Sequence, residues 1–257
     1  MRQIVASARE QVHPLRMRIV RHVVVDSTSE RAFASLAAGE ARHLDAHVAQ
    51  AQTHGRGRRG ARWHSPRGGG VWLSMVFLPP RPLPGAALTI AAGLAALDAT
   101  RAVGCAQCRL KWPNDVVDAR GAKLAGVLVE TRGLDPRAPH YVVGVGIDAT
   151  MVDFPAELTD ERPVTSLALL GCDADPSKVE SALLAALPRR VEEIETRPRG
   201  LAEDFLDALG LAGRRVVVDG SIGRLEALDL ERGLRLAADD GGQRWIPLET
   251  TVSVREA

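Results

Sequence analysis

The chain has 257 residues, enough for one large domain with a small one beside it. Hydrophobic residues make up 46% and charged residues 25%, an ordinary globular composition, and 33 Lys+Arg against 32 Asp+Glu leave a formal charge of +1. That balance argues against a protein that coats a long polyanion, and the longest apolar stretch, Ala86 to Leu97, is too short to span a bilayer, so no membrane partner is expected.

The opening residues carry several arginines but no continuous apolar core of the secretory kind. Residues 1–20 fit neither domain and read as an N-terminal extension, disordered or upstream of the true start, with Met17 as an alternative start. Val23 to Val25 form a buried strand that enters a helix at Asp26-Ser27-Thr28-Ser29, where the hydroxyls are good caps, and Gly39 stops that helix. His47 to Thr53 is strand-like and leads into Gly55-Arg56-Gly57-Arg58-Arg59-Gly60-Ala61-Arg62, followed by Trp63-His64-Ser65-Pro66.

That loop sets four arginines among three glycines without a carboxylate. Glycine permits close backbone approach, and arginine supplies a charged fork that matches carboxylate and phosphate oxygens. Taken by itself the run fits a solvated basic hairpin, a nucleic-acid patch or the wrapping of a small polyanion. Because the chain as a whole is nearly neutral, a small anionic ligand suits the loop better than a long polyanion.

Val71 to Leu78 is the next strand, ended by Pro79-Pro80, and Leu88 to Val103 is an apolar helix closed by Gly104. Cys105-Ala-Gln-Cys108 lacks a second cysteine pair and reads as ordinary buried thiols. With Cys172 the three cysteines cannot all pair, which suits a reducing compartment, so a cytoplasmic protein is expected. Arg109 to Pro113 and Lys123 to Glu130 are strands around a turn containing Gly121, and Tyr141 to Ile147 is another. Asp175-Pro176-Ser177 opens a helix with Ser177-x-x-Glu180 as a capping box; Pro188 should break it, and Leu201 to Leu209 forms a last amphipathic helix.

From residue 212 the texture changes. Arg215–Val218, Arg224–Leu230, Leu234–Ala237, Arg244–Pro247 and Thr251–Val254 are short apolar runs separated by turn residues, the spacing of a compact barrel.

Three further segments join the arginine loop: Leu110-Lys111-Trp112-Pro113-Asn114-Asp115, Lys123-Leu124-Ala125-Gly126-Val127-Leu128-Val129-Glu130, and Val143-Gly144-Val145-Gly146-Ile147-Asp148. With Gln52 in front of the loop and Asp26-Ser27-Thr28, Leu73-Ser74 and Thr165-Ser166-Leu167 in support, the chain resembles the biotin protein ligase family over residues 21–255. The resemblance implies an α+β catalytic domain over 21–211, a mixed β-sheet with helices packed on one side, and a small C-terminal SH3-like β-barrel over 212–257.

The resemblance also implies the chemistry: biotin and ATP give biotinyl-5′-AMP with Mg²⁺, and biotin then passes to a lysine of a biotin carboxyl carrier protein. Lys123, Arg58 and Arg56 are the catalytic candidates. The biotin side is Ser27, Thr28, Gln52, Gly55, Arg56, Arg58, Lys123, Gly126, Leu128 and Gly144, with Gly146 also on the pocket wall. The ATP side is Arg58, Arg59, Arg62, Trp63 against adenine, Lys111, Asn114 and Asp148, with Asp115 for the metal. Two departures stand out: Asp148 where asparagine is usual, and Ser29 where asparagine is frequent. A lipoate-type ligase is the rival enzyme, disfavoured by the arginine loop and the Lys-Trp-Pro-Asn-Asp run. A DNA-binding repressor needs an N-terminal module of about 60 residues, where roughly 20 precede the first strand; no DNA partner is expected, and a monomer or ligand-linked homodimer is.

Overall fold

The computed structural model describes residues 9–13, 17–133, 135–238 and 241–257. Its elements in chain order are β1 (Arg9–His13), β2 (Met17–Val25), α1 (Thr28–Ala37), β3 (Ala46–Gln52), β4 (Gly70–Phe77), α2 (Gly85–Ala102), β5 (Arg109–Lys111), β6 (Asp115–Val117), β7 (Lys123–Glu130), β8 (Tyr141–Asp148), α3 (Ala156–Glu161), α4 (Pro176–Thr196) and α5 (Pro198–Leu209), then β9 (Arg215–Val218), β10 (Ser221–Asp229), β11 (Gly233–Ala237), β12 (Gln243–Ile246) and β13 (Val254–Glu256). The first eight strands form one mixed sheet in the order β1-β2-β3-β4-β8-β7-β6-β5. β2 and β3 run parallel, joined across α1, and every other pair is antiparallel.

The strict alternation of β4 and β8 separates two faces. Val71, Leu73, Met75 and Phe77 with Val143, Val145 and Ile147 face the main core, which α2, α4 and α5 complete. Most residues of α2 are buried, because it lies between the sheet and α4. The expectation of helices on one side holds for these three. α1 instead packs on the opposite face, where Ala32 and Phe33 cover Val76 and Val142, because that half of the sheet is apolar on both sides.

Three further expectations are corrected. Residues 17–20 belong to the sheet rather than to an extension: Met17 and Ile19 are buried in the core, and β1 pairs antiparallel with β2. Residues 1–8 and 14–16 of the expected extension lie outside the described residues. α4 runs through Pro188 to Thr196, since Leu183, Leu184, Leu187, Val191 and Ile194 all bury one face against the core. Its cap is Asp175, whose carboxylate accepts from the Ser177 amide, while Glu180 pairs with Arg21 instead of closing a capping box. The expected C-terminal module is present as a second antiparallel sheet in the order β12-β11-β10-β9-β13, consistent with an SH3-like fold, with no β12–β13 pairing among the described residues. Cys105 and Cys108 are buried free thiols.

Candidate functional site

The face of the main sheet opposite α2 carries a cleft of about 190 Å³ between the N-terminus of α1, the arginine loop and strands β7 and β8. Alternation directs Gly126 and Leu128 of β7 and Gly144 and Gly146 of β8 toward it, so small residues expose strand backbone on its floor. Trp63 occupies that floor. A Cβ at Gly146 would lie 2.4 Å from its indole nitrogen, and one at Gly126 3.0 Å from its ring. The indole is edge-on to Trp72 at 6.4 Å, and its buried Nε1 has no hydrogen-bond partner among the described residues.

One end of the cleft is a run of hydroxyls and an amide. Gln52 Oε1 accepts from the Thr28 amide at 2.8 Å and from the Thr28 hydroxyl at 3.2 Å. Ser74 lies 2.8 Å from Thr28 and 3.0 Å from Ser29, hydroxyl to hydroxyl. Because Thr28 donates to Gln52, Ser74 must donate to Thr28 and accept from Ser29, which gives the chain one direction. Gln52 Nε2 donates onward to Ser65 at 2.8 Å. Ser27 occupies the N-cap position of α1, yet its buried hydroxyl makes no capping hydrogen bond, so the cap role expected for it is not taken up.

The other end is charged. Lys123 opens β7 and is 9% exposed. A bulge pairs Val116 with Ala125 but Val117 with Lys123, inserting Leu124 as the extra residue. Without it Lys123 would share the core face of Ala125 and Val127; with it, the ammonium comes to the face of Gly126. It pairs with Asp115 at 2.5 Å and sits 5.2 Å from the Trp63 ring centre. Burial lowers the Lys123 pKa, opposed by Asp115. Asn114 donates to the Val127 carbonyl at 2.7 Å and accepts from Arg58 at 3.2 Å, tying the loop to the strand.

Among the residues expected at the site, Ser27, Thr28, Gln52, Arg56, Arg58, Arg59, Arg62, Trp63, Asn114, Asp115, Lys123, Gly126, Leu128, Gly144 and Gly146 all line this cleft. Gly55 does not; a Cβ there would strike the Trp63 carbonyl at 2.3 Å, so its part is to let the loop fold on itself. Lys111 is exposed on β5 and also lies outside the lining. Asp148 is buried in a small adjoining cavity with Lys123, Trp63 and Arg162, and burial raises its pKa well above its ordinary value against the pull of Lys123 and Arg162.

Ser74, Arg162 and Val252 line the cleft without having been singled out. Ser74 stands inside the Leu73-Ser74 match and alternation alone could have found it. Arg162 and Val252 sit in segments without a motif, and Arg162 comes next to Lys123 because the Lys123 amide bonds to the Pro163 carbonyl and the Thr165 amide to the Lys123 carbonyl, at 2.9 Å each.

Residues 22–148 match the model of the biotin/lipoate A/B protein ligase family. The chain is 31% identical over 231 residues to the bifunctional ligase/repressor BirA of Bacillus subtilis, covering 87% of this chain and 70% of that protein. It is 37% identical over 205 residues to the biotin–[acetyl-CoA-carboxylase] ligase of Mycobacterium tuberculosis, covering 76% and 73%. Its fold matches the Aquifex aeolicus biotin protein ligase solved in complex with biotin and ATP, with a TM-score of 0.76 and 26% identity over 93% of this chain and 99% of that one. The chain therefore belongs to the biotin protein ligase family of ATP-dependent ligases.

Proposed function

We propose that the protein activates biotin as biotinyl-5′-AMP and transfers the biotinyl group to the acceptor lysine of a biotin carboxyl carrier domain in the cytoplasm. The observation that carries this reading is a single cleft with a hydroxyl–amide chain at one end and Arg58 with Lys123 at the other. A neutral ureido ring needs aimed donors and acceptors, which Ser27, Thr28, Gln52 and Ser74 supply.

In the first step a biotin carboxylate oxygen attacks the α-phosphorus, the bond to the β-phosphate oxygen breaks, and pyrophosphate leaves. Two anions must meet, with a repulsion of about 5 kcal/mol at ~3.5 Å and an effective dielectric of ~20. Fixed cations offset it, and Lys123 and Arg58 are the ones this cleft presents. Arg59, Arg62 and Trp63 with Asn114 form the nucleotide side. The Asp115 side chain is partly open to the cleft, and with the triphosphate it would hold Mg²⁺, which supplies further charge neutralisation when bound. In the second step the carrier's lysine amine attacks the acyl carbon, AMP leaves, and the amine proton passes to solvent.

The test is incubation with ATP, Mg²⁺ and either biotin or lipoate, with the acyl-adenylate read directly. Biotinyl-5′-AMP is expected, and adenylation of lipoate alone would overturn the reading. In the same assay Lys123→Ala should lower adenylate formation at least about 100-fold, the scale of removing one group that stabilises developing charge. Biotin affinity should change far less, since the ammonium acts on the transition state; an equal loss in both would mean that Lys123 merely binds.

A further inference from the structure

Arg56, assigned by its sequence context to the ligand, has both terminal nitrogens on carboxylates. One pairs with Glu30 on α1, and the other lies 2.6 Å from Glu130 at the end of β7. These two elements are opposite walls of the cleft, with Ser27 to Ser29 leading α1 on one side and Gly126 and Leu128 of β7 on the other. Neither carboxylate lines the cleft itself.

The two carboxylates differ in their surroundings. Arg132 donates to Glu30 at 3.0 Å and its guanidinium lies 4.0 Å from the centre of the Phe33 ring, so the α1 side of the tie rests on a packed arginine. On the β7 side Glu130 is half-buried, and its second oxygen is buried without a hydrogen-bond partner among the described residues. Arg56 also stands where the arginine loop begins to fold back: it bridges Arg62, and the Gly57 amide bonds to the Ala61 carbonyl at 2.7 Å. A tie at Arg56 therefore fixes the base of the hairpin whose tip carries Arg58 and Arg59.

We propose that Glu30 and Glu130 are positioning residues that strap the arginine loop across the cleft through Arg56, presenting Arg58 to the substrate and retaining the acyl-adenylate. The loop's arginines then divide the work: Arg56 is engaged by protein carboxylates, and Arg58, whose one side-chain hydrogen bond among the described residues is to Asn114 at 3.2 Å, turns to the ligand. The retention part rests on the proposed function; the strap itself does not.

The experiment compares the whole protein with Glu130→Gln, Glu30→Gln, Arg56→Ala and the Arg56→Ala/Glu130→Gln double variant. Trypsin cleavage of ligand-free protein is mapped by mass spectrometry, and the dissociation rate of biotinyl-5′-AMP is measured alongside. Each glutamate variant should speed cleavage after Arg58 and Arg59 roughly three- to tenfold, the scale of one charge-assisted pair in water, and Arg56→Ala, which loses both pairs, at least as much. Cleavage after the exposed Arg137 and Arg199 should not change. Adenylate should leave faster by a similar factor, and the double variant should be no faster than Arg56→Ala, because both changes cut the same tie. Unchanged loop cleavage, an equal rise at every site, or additive effects in the double variant would overturn the strap. A protein whose loop opens as described but which forms no adenylate refutes the function and leaves the strap standing.

Discussion

At position 148 the family's usual asparagine is an aspartate, and its surroundings show how that change is tolerated. The side chain is buried beside Lys123 and Arg162, and its pKa is raised because burial outweighs both cations. A carboxyl that holds its proton more tightly than usual gains the capacity to donate as well as accept, which is the hydrogen-bonding character of the asparagine it replaces. The sign of the stability effect follows from proton counting. Above the unfolded pKa of about 3.9 the unfolded chain has lost this proton while the folded one keeps it, so stability falls as pH rises through the folded value. Asp148→Asn removes that dependence. Its melting temperature should exceed the wild type's by more at pH 8 than at pH 5 in thermal unfolding; an equal difference at both, or a loss at pH 8, would show that Asp148 is charged in the folded protein.

The long helix α4 sets local preference against packing. Proline inside a helix removes a hydrogen bond and costs about 3 kcal/mol, yet α4 continues for two turns beyond Pro188 because Val191 and Ile194 are needed in the core and Arg190 joins Asp98, Glu193 and Asp204. Pro188→Ala restores the amide donor without adding bulk, and should stabilise the protein by about 1–3 kcal/mol, or roughly 2–10 °C in melting temperature at this size. A lowered melting temperature would mean that the proline sets a bend the α2–α4 contact requires. The same conflict explains what could be read from the sequence. Strands that read as near-continuous apolar runs, β4, β7 and β8, were legible nearly to the residue, and with them the glycine floor and Lys123. β2 was legible only at its Val23–Val25 end, because Arg18 and Arg21 break the apolar run and their partners, Asp45 and Glu180, are distant in sequence. β6 is three residues long and lay hidden between the Lys111–Asp115 motif and the turn at Gly121, and Arg162 and Val252 reach the cleft through tertiary contacts that no local pattern encodes.

At the scale of the molecule, one hydrophobic core runs from the main sheet through α5 into the C-terminal strands, joining Trp112 and Phe205 to Val216, Leu225 and Leu248. The cleft is shared in the same way. Trp112 donates its indole N–H to the Thr251 carbonyl at 3.2 Å, two residues before Asn114, and Val252 follows directly on the cleft wall. This places the C-terminal segment at the Asn114–Asp115 end, the end proposed for the nucleotide, and away from the hydroxyl chain of Thr28 and Ser74. Asp219, in a left-handed conformation at the turn after β9, holds that segment: its carboxylate accepts from the Val252 amide at 2.9 Å, and from the Ser253 amide at 2.8 Å and hydroxyl at 3.1 Å. Those amides lower its pKa, so the clamp is charged above the usual carboxylate range and weakens as pH falls through its own pKa. Asp219→Ala leaves two amides to water and frees Val252 from its place, a change that belongs to the distance between the sheets rather than to either fold. The KM for ATP should rise about three- to tenfold, as for losing one or two charge-assisted bonds that order a wall, while biotin affinity, set at the other end of the cleft, changes less than twofold. Equal weakening of both substrates would mean that the C-terminal segment supports the whole cleft instead of its nucleotide end, and an unchanged KM for ATP would mean that Val252 lines the wall without bearing on the ligand.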